Sequence, residues 1–486
     1  MKASRERELK LSVPAGFRLP RLDVDGLVAG PVERRRLLAT YLDTDDLRLA
    51  RFGVTFRHRT GEGWTLKLPG AGRDGFLVRE ELVFGGEARR PPAEALDLVR
   101  AYARTLPLVP QARLRTTRGA IGLAGSDGAR LGELVDDRVA VLDGDGKTQE
   151  RFRELELELD APGKVEKQLV RALEGAGASA GDQLPKLVRA LGAPAQAPAD
   201  VVAAELGRDA TAADVVRRAL AGSVLRLIHH DPVVRLDADP EGVHKARVAT
   251  RTLRSDLRTF RPLVDRAWSD ALRGELGWLG GLLGRVRDAD VLLARLEAES
   301  APAAVVRALR AERTRALAEL LEAMRAERYV ELLDRLVAAT KAPELTDRAA
   351  EPARDVVPEL ARRPWRSLER AVGALGKRPA DEELHEVRIK AKRCRYAAEA
   401  AAPYLGKRAA AFARAAAGLQ QALGDLNDAV TAEAWLREWA GRRRASVSVA
   451  AALELADRER GAAKKCRARW RSAWKRLAAS RPRAFA

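Results

Sequence analysis

Residues 192–199 read GAPAQAPA, and the spacing of apolar residues is different on the two sides of this stretch. No other feature constrains the fold as strongly. Before it, short segments alternate apolar and polar residues with the period of two that places successive side chains on opposite faces of a strand. They cover 7–13, 34–43, 54–59, 64–68, 76–84, 113–123, 131–142 and 152–160. Turn formers separate several of them: Thr60-Gly61-Glu62-Gly63, Gly70-Ala71-Gly72 with Asp74-Gly75, Ser126-Asp127-Gly128, and Asp143-Gly144-Asp145-Gly146. The last has the start of a calcium loop but none of its later ligands, so it reads as a hairpin turn. Helical spacing intrudes at 92–102 and 165–173. From about residue 205 onward only long amphipathic helices are found. The expectation is an α+β multidomain chain. An antiparallel β barrel with flanking helices occupies 1–191, a semi-stiff Ala/Pro linker 192–205, and an all-α domain 206–486.

A chain of 486 residues is long enough for two or three domains. Its 88 basic and 69 acidic residues leave a formal charge of +19, which points to a polyanionic partner or to a solvated basic surface. Cys394 and Cys466 form neither a CxxC nor a zinc spacing, which excludes a disulfide scaffold. No apolar run approaches the length of a membrane span, and the first residues are charged, so a cytoplasmic location is expected.

The helical part contains a duplication. VHKARVATRTLRSDLR at 243–258 is echoed by LHEVRIKAKRCRYAAE at 384–399, and LLGRVRDADV at 282–291 by ALGDLNDAVT at 422–431. His244 and His385 lie 141 residues apart, Gly284 and Gly424 140 apart. A near-constant offset over two motifs implies two tandem four-helix bundles, at about 206–345 and 350–486.

In the strand part, charge recurs at every second position. Glu6, Glu8 and Lys10 share a face, as do Arg57 and Arg59, Arg79 and Glu81, and Glu154, Glu156 and Glu158, which alternate with Leu155, Leu157 and Leu159. One such strand would mean only a face in water. Here the sign of charge is segregated by strand, and Lys67 and Lys186 add further cations. Closed into a barrel, these strands would line a lumen with both signs while their apolar faces packed outward on helices. Guanidinium and ammonium groups bind phosphate oxygens, and clustered carboxylates bind Mg²⁺ or Mn²⁺. Such a lumen suits a short polyphosphate together with a divalent metal.

These residues resemble a known family. Glu6-x-Glu8-x-Lys10, Tyr41-Leu42-Asp43-Thr44, Gly53-Val54-Thr55-Phe56-Arg57-His58-Arg59, Trp64-Thr65-Leu66-Lys67, Glu154-Leu155-Glu156-Leu157-Glu158 and Leu184-Pro185-Lys186 are similar to the CYTH, or triphosphate tunnel metalloenzyme, domain. The resemblance implies an eight-stranded tunnel that cleaves or cyclises triphosphates. By it, Glu6, Glu8, Glu154 and Glu156 hold metal, with Glu81, Asp137 and Glu158 assisting. Lys10, Arg57, Arg59, Lys67, Arg79, Arg115, Arg118 and Lys186 grip phosphates, and Glu6, Glu8, Lys10, Arg59 and Lys67 carry the catalysis. The motifs do not separate inorganic triphosphate from thiamine triphosphate, ATP or RNA ends.

In the helical part, His244, Arg247, Arg251, Arg254 and Arg258 recur at spacings of three and four and form one helix face; His385, Arg388, Lys392 and Arg395 repeat it. Val248, Leu253 and Leu257 fall on other faces and are expected to supply the core contact. Like charges at these spacings cost about 0.2–0.5 kcal/mol a pair, so a stripe kept twice suggests a neutralising anion. No acidic or histidine partner sits beside either His to make a metal site, and few aromatics are interleaved to stack nucleic-acid bases. These segments resemble the CHAD domain, the conserved-histidine α-helical domain, over about 206–480, with Asn427 standing where the first repeat has Arg287. The resemblance implies polyphosphate binding through His244, Arg247, Arg251, Arg254, Arg258, His385, Arg388, Lys392, Arg393 and Arg395, with His229 as an added contact. The whole chain thus resembles bacterial CYTH–CHAD inorganic triphosphatases. The expected function is divalent-metal-dependent hydrolysis of inorganic triphosphate, with the helical domain holding polyphosphate or placing the enzyme on polyphosphate granules. The alternative is a polyphosphate-binding protein without turnover; adenylate cyclase and thiamine triphosphatase rank below both.

Overall fold

Every alternating segment coincides with a strand of the computed structural model, with 7–13, 54–59 and 152–160 each running one residue past the strand; the model describes residues 1–14, 16–70, 77–160 and 163–480. The strands are β1 (Lys2–Ser12), β2 (Leu27–Asp43), β3 (Thr55–Arg59), β4 (Gly63–Pro69), β5 (Leu77–Phe84), β6 (Val109–Gly125), β7 (Arg130–Leu142) and β8 (Thr148–Leu159), with a two-residue β9 (Ser179–Ala180). The turn expected at 71–75 and the strand start expected at Phe76 lie outside the described residues. The antiparallel order β5-β4-β3-β2-β6-β7-β8-β1 closes into a ring of eight because β1 pairs twice, and β9 adds to β1. The first half of β1 pairs with β5 (Lys2↔Val83 to Glu8↔Leu77) and its second half with β8 (Glu8↔Glu158 to Leu11↔Leu155). The strands β2 and β6 run 17 residues each, longer than their alternating cores, because 28–36 is exposed on both faces and carries no apolar period.

Five helices accompany the ring: α1 (Arg48–Arg51), α2 (Ala93–Ala103), α3 (Lys164–Gly175), α4 (Lys186–Leu191) and α5 (Ala193–Gln196). Outside it, Leu155, Leu157 and Leu159 join Ile121, Leu123 and Leu134 beneath Leu169 and Leu173 of α3. On the inward face, Leu114, Val139 and Phe152 pack on Leu187 and Val188 of α4, so one end of the ring is filled with apolar side chains. Asp43 is buried where β2 ends. Its carboxylate accepts from the backbone N–H groups of Thr44, Leu49 and Ala50 at 2.7–2.9 Å and fixes the start of α1. The Ala/Pro stretch is partly built into this unit: α5 is helical and Ala195 is buried with Leu187 and Val188. The chain divides into compact units at Asp200/Val201.

The second unit is all helix: α6 (Ala212–Leu236), α7 (Pro240–Thr259), α8 (Arg266–Ala298), α9 (Ala303–Arg325), α10 (Glu327–Lys341), α11 (Ala353–Gly373), α12 (Asp381–Leu405), α13 (Lys407–Gly441) and α14 (Val447–Ser480). Shifted by 141 residues, the first residues of α6, α7 and α8 fall on those of α11, α12 and α13. The fourth position differs between the repeats. It is one helix, α14, in the second repeat but is broken at Ala326 into α9 and α10 in the first. The break returns α10 to α6, where the buried Tyr329 hydroxyl donates to Asp231 at 2.6 Å. The tandem repeats also pack on one another. The α7 and α12 helices pack on each other, and one apolar cluster joins Leu292 and Leu296 of α8 and Val305 and Leu309 of α9 to Leu436 of α13 and Leu455 of α14.

Candidate functional site

The strand register turns alternate residues into a charged cavity of about 380 Å³ inside the ring. Glu6, Glu8 and Lys10 enter from β1, Arg57 and Arg59 from β3, Lys67 from β4, Arg79 and Glu81 from β5, Arg118 from β6, Glu156 and Glu158 from β8, and Lys186 from the start of α4. Opposite signs meet across neighbouring strands. Lys67 Nζ donates to both oxygens of Glu6 at 2.6 Å and lies 2.8 Å from Glu81. Arg79 donates to Glu8 at 2.5 Å. Lys10 Nζ reaches Glu156 at 2.5 Å and Glu154 at 3.3 Å, and Lys186 Nζ contacts Asp137, Glu154 and Glu156 at 2.5–3.0 Å. Arg118 holds Asp137 with two hydrogen bonds of 2.8 and 3.0 Å. Arg57 differs: its guanidinium donates to the Tyr41 hydroxyl at 3.1 Å and, among the described residues, makes no ion pair. Arg59 pairs only with Glu62, at 2.7 Å. The Nε atoms of Arg57, Arg59 and Arg79 are buried and, among the described residues, have no hydrogen-bond acceptor, so these three cavity-lining guanidiniums keep unused donor capacity.

The carboxylates fall into two sets. Burial pushes Glu156 and Asp137 up, but Lys10, Lys186 and Arg118 outweigh it for Glu156, and Lys186 and Arg118 for Asp137, so both are held below the usual range. With Glu154 they form an ion-paired wall whose oxygens are already engaged. Glu6, Glu8 and Glu158 instead bring one oxygen each within 4.8 Å of one another. Glu158 is pushed up to about 7, first by burial and then by the charges of Glu6 and Glu156. Three hard oxygen donors, one short of a counter-charge, fit a divalent cation. Of the seven carboxylates expected around metal, Glu6, Glu8 and Glu158 are the three gathered within reach of one ion. Glu154, Glu156 and Asp137 are engaged by Lys10, Lys186 or Arg118 and Glu81 by Lys67, as Glu6 and Glu8 themselves are by Lys67 and Arg79. Gly132 of β7 enables this approach. Its φ is +153°, and a Cβ there would collide with the Glu158 carbonyl.

Arg115 is a second correction. It lies three residues from Arg118 with no bulge between them, so it points away from the lumen, is exposed, and donates to Thr148 at 3.1 Å. Sequence reasoning missed Tyr41 as a lumen residue. The signal was its place directly opposite Arg57 in the β2–β3 register.

In the helical unit the two stripes meet but do not form one surface. Arg247 and Arg251 of α7 and Arg388 and Lys392 of α12 line a hollow of about 340 Å³ with His244, Arg287, Asn427 and Asp428. The guanidiniums of Arg247 and Arg388 lie across Gly284 and Gly424, the paired glycines of the duplication. Arg247 contacts Asp288 at 3.0 Å, and Tyr396 lies between Arg251 and Arg395 with cation–ring distances of 6.0 and 5.6 Å. Burial, then Arg251, Arg388 and Arg247, pushes the Lys392 ammonium down to about 7. Burial and neighbouring cations also lower Arg251. Other expected contacts stand apart from this hollow. Arg258 and Arg393 line a second one with Arg261, Arg273, Arg363 and Lys390, and His385 lines a third, its Nδ1 3.0 Å from Asn427 Oδ1. Arg254 is exposed beside Gly277, Arg395 is paired with Glu399 at 2.7 Å, and His229, on α6, is outside the lining. Val248 lines the first hollow rather than the core.

Two family models match the chain without overlap, the CYTH domain over residues 4–188 and the CHAD domain over 218–437. Uncharacterized proteins from two strains of Mycobacterium tuberculosis are each 32% identical over 439 residues, spanning 82% of this chain and 80% of their own length. Among solved structures, the chain is similar to PptA from Streptomyces chartreusis (24% identity, TM-score 0.47, covering 55% of this chain and 100% of that one). It is likewise similar to the CHAD domain from the plant Ricinus communis (24% identity, TM-score 0.47, covering 57% and 96%).

Proposed function

The chain belongs to the family that joins a CYTH domain to a CHAD domain, and from that premise we propose that its tunnel hydrolyses inorganic triphosphate, or a related short polyphosphate, with a divalent metal, while its helical unit binds inorganic polyphosphate. CYTH domains are usually metal-dependent phosphatases or cyclases. The observation that carries the narrower reading is the pairing, in one cavity, of the Glu6, Glu8 and Glu158 oxygens with three buried guanidinium donors that lack an acceptor.

Mg²⁺ or Mn²⁺ held by these three carboxylates would supply Lewis-acid polarisation of phosphate oxygens and a more acidic water. The protein's own groups do the rest. Arg57, Arg59 and Arg118 hold phosphate oxygens, and their fixed positive charge stabilises the charge that develops on the transferred group. Lys67 and Arg79, which clasp Glu6 and Glu8, exchange those carboxylates for phosphate. Lys10 and Lys186 stay charged because carboxylates outweigh the burial that would neutralise them, Glu156, Glu8 and Glu154 for Lys10 and Glu156, Glu154 and Asp137 for Lys186. That wall keeps two ammonium groups beside the substrate without drawing them out of position.

A substrate panel tests the choice. With Mg²⁺ or Mn²⁺, inorganic triphosphate should release phosphate faster than ATP or thiamine triphosphate, and no cyclic nucleotide should form. Cyclic AMP from ATP, or preference for thiamine triphosphate, would replace this reading by another of the same domain family. Metal-independent binding without release would support the binding-only alternative. No helix among the described residues is long and apolar enough to cross a membrane, and the proposal places the protein in the cytoplasm, with its helical unit on polyphosphate granules.

A further inference from the structure

Arg115, excluded from the lumen, is part of a pattern on the outside of the ring. Across β2, β6, β7 and β8 the register forms rows of neighbours that all face outward. One row is Arg36, Thr117, Arg138 and Arg153, the next Leu38, Arg115, Ala140 and Arg151, and the third Thr40, Arg113, Leu142 and Thr148. Arg34 sits one step beyond the first row, opposite Gly119. Arg34, Arg36, Arg115, Arg138 and Arg151 are exposed and Arg113 half-exposed. Among the described residues, none of the six makes an ion pair. The nearest carboxylate in the register, Asp136, is occupied by Arg153, which donates to both of its oxygens at 2.8 Å. The rows themselves contain no acidic residue.

Neighbouring strands stand about 4.8 Å apart and alternate residues about 6.8 Å apart, so six guanidiniums crowd one face of a four-stranded patch. Like charges at such spacing repel and destabilise a sheet unless something neutralises them. The residues between the arginines are threonine, leucine and alanine. The rows contain no aromatic side chain for bases to stack on and no Asn or Gln for reading base edges, and Phe17, which packs against Arg153, is itself buried. The face can therefore recognise charge density and phosphate geometry, and nothing else.

We infer that the outward arginine face of β2, β6, β7 and β8 is a docking surface for long-chain inorganic polyphosphate, separate from both the tunnel and the helical hollow; the choice of polymer rests on the polyphosphate reading of the helical unit. A flexible phosphate chain can follow the curved outer wall of the ring and meet all six guanidiniums, whereas a rigid duplex would touch it along one backbone edge. Two contact surfaces on one chain would also raise affinity for long polymers without any new contact in either.

The test uses the full chain and labelled long-chain polyphosphate, with binding read by fluorescence anisotropy at low salt. Three variants are compared with the wild type: Arg36→Glu with Arg138→Glu and Arg151→Glu on the sheet face, Arg251→Glu with Lys392→Glu in the hollow, and all five together. Thermal unfolding checks that each remains folded. The sheet-face variant should bind at least about tenfold more weakly, and the five-site variant more weakly than either. Wild-type affinity in the sheet-face variant would overturn the inference while leaving the helical reading intact. Wild-type affinity in the hollow variant, with loss in the sheet-face variant, would do the reverse. Duplex DNA displacing polyphosphate equally well at equal total charge would overturn the choice of occupant.

Discussion

Lys392 stands where the first repeat has Arg251, and that one exchange gives the hollow a group that titrates near neutrality. Its ammonium is pushed down to about 7 by burial, with Arg251, Arg388 and Arg247 adding to it. The sign follows directly. Above pH 7 the empty hollow holds Lys392 neutral, and an arriving phosphate chain restores the cation by raising its pKa toward the ordinary lysine value. Binding should therefore take up a proton at about pH 8.5, approaching one per hollow, and none at about pH 6. Calorimetry in buffers of differing ionisation heat measures this uptake, which Lys392→Arg should abolish. Uptake that survives Lys392→Arg would contradict the assignment. The sequence revealed which residue types would gather but not how each was neutralised. Glu154 and Glu158 look alike in an alternating strand, yet one faces Lys10 and Lys186 while the other faces carboxylates. Arg115 and Arg118 could have been separated by parity alone, since three residues apart along a strand means opposite faces.

At the scale of elements, the hairpins were legible because half-buried strands alternate and their turns carry glycine. Strand ends were not, since 28–36 is exposed on both faces. The break between α9 and α10 also lacked a marker: no Pro or Gly stands at 325–327, and what accompanies it, Tyr329 bonded to Asp231 of α6, is a tertiary contact. Gly132 is the glycine in β7 whose identity the site requires. Gly132→Ala places a Cβ against the Glu158 backbone and a φ of +153° on a residue that rarely adopts it. It should cost about 1–3 kcal/mol in denaturant unfolding and weaken metal binding by displacing Glu158. Gly122→Ala in β6, with open space around the added Cβ, is the control and should change neither. Equal effects at the two positions would mean that the close approach of β7 to β8 does not position Glu158.

At the scale of the whole molecule, the charge of +19 is the global property that composition alone reveals, and it points to anions without saying where they go. The fold distributes it. Inside the ring, cations outnumber the carboxylates left free of them; in the helical unit, two repeats turn basic stripes toward a shared hollow; on the sheet exterior, arginines stand uncompensated. The duplication and the change of period at 192–199 made both architectures readable, since each is a pattern along the chain. The division of labour among carboxylates was not readable, since it depends on which strands become neighbours when β1 closes the ring. The central claim is that Glu6 and Glu8, with Glu158, hold a metal used in hydrolysis. Phosphate release from inorganic triphosphate, measured with Mg²⁺ or Mn²⁺ for the wild type and for Glu6→Ala with Glu8→Ala, tests it most directly. The account predicts metal-dependent release by the wild type and a loss of at least about a hundredfold in the variant; no release by the wild type with either metal, or undiminished release by the variant, would contradict it.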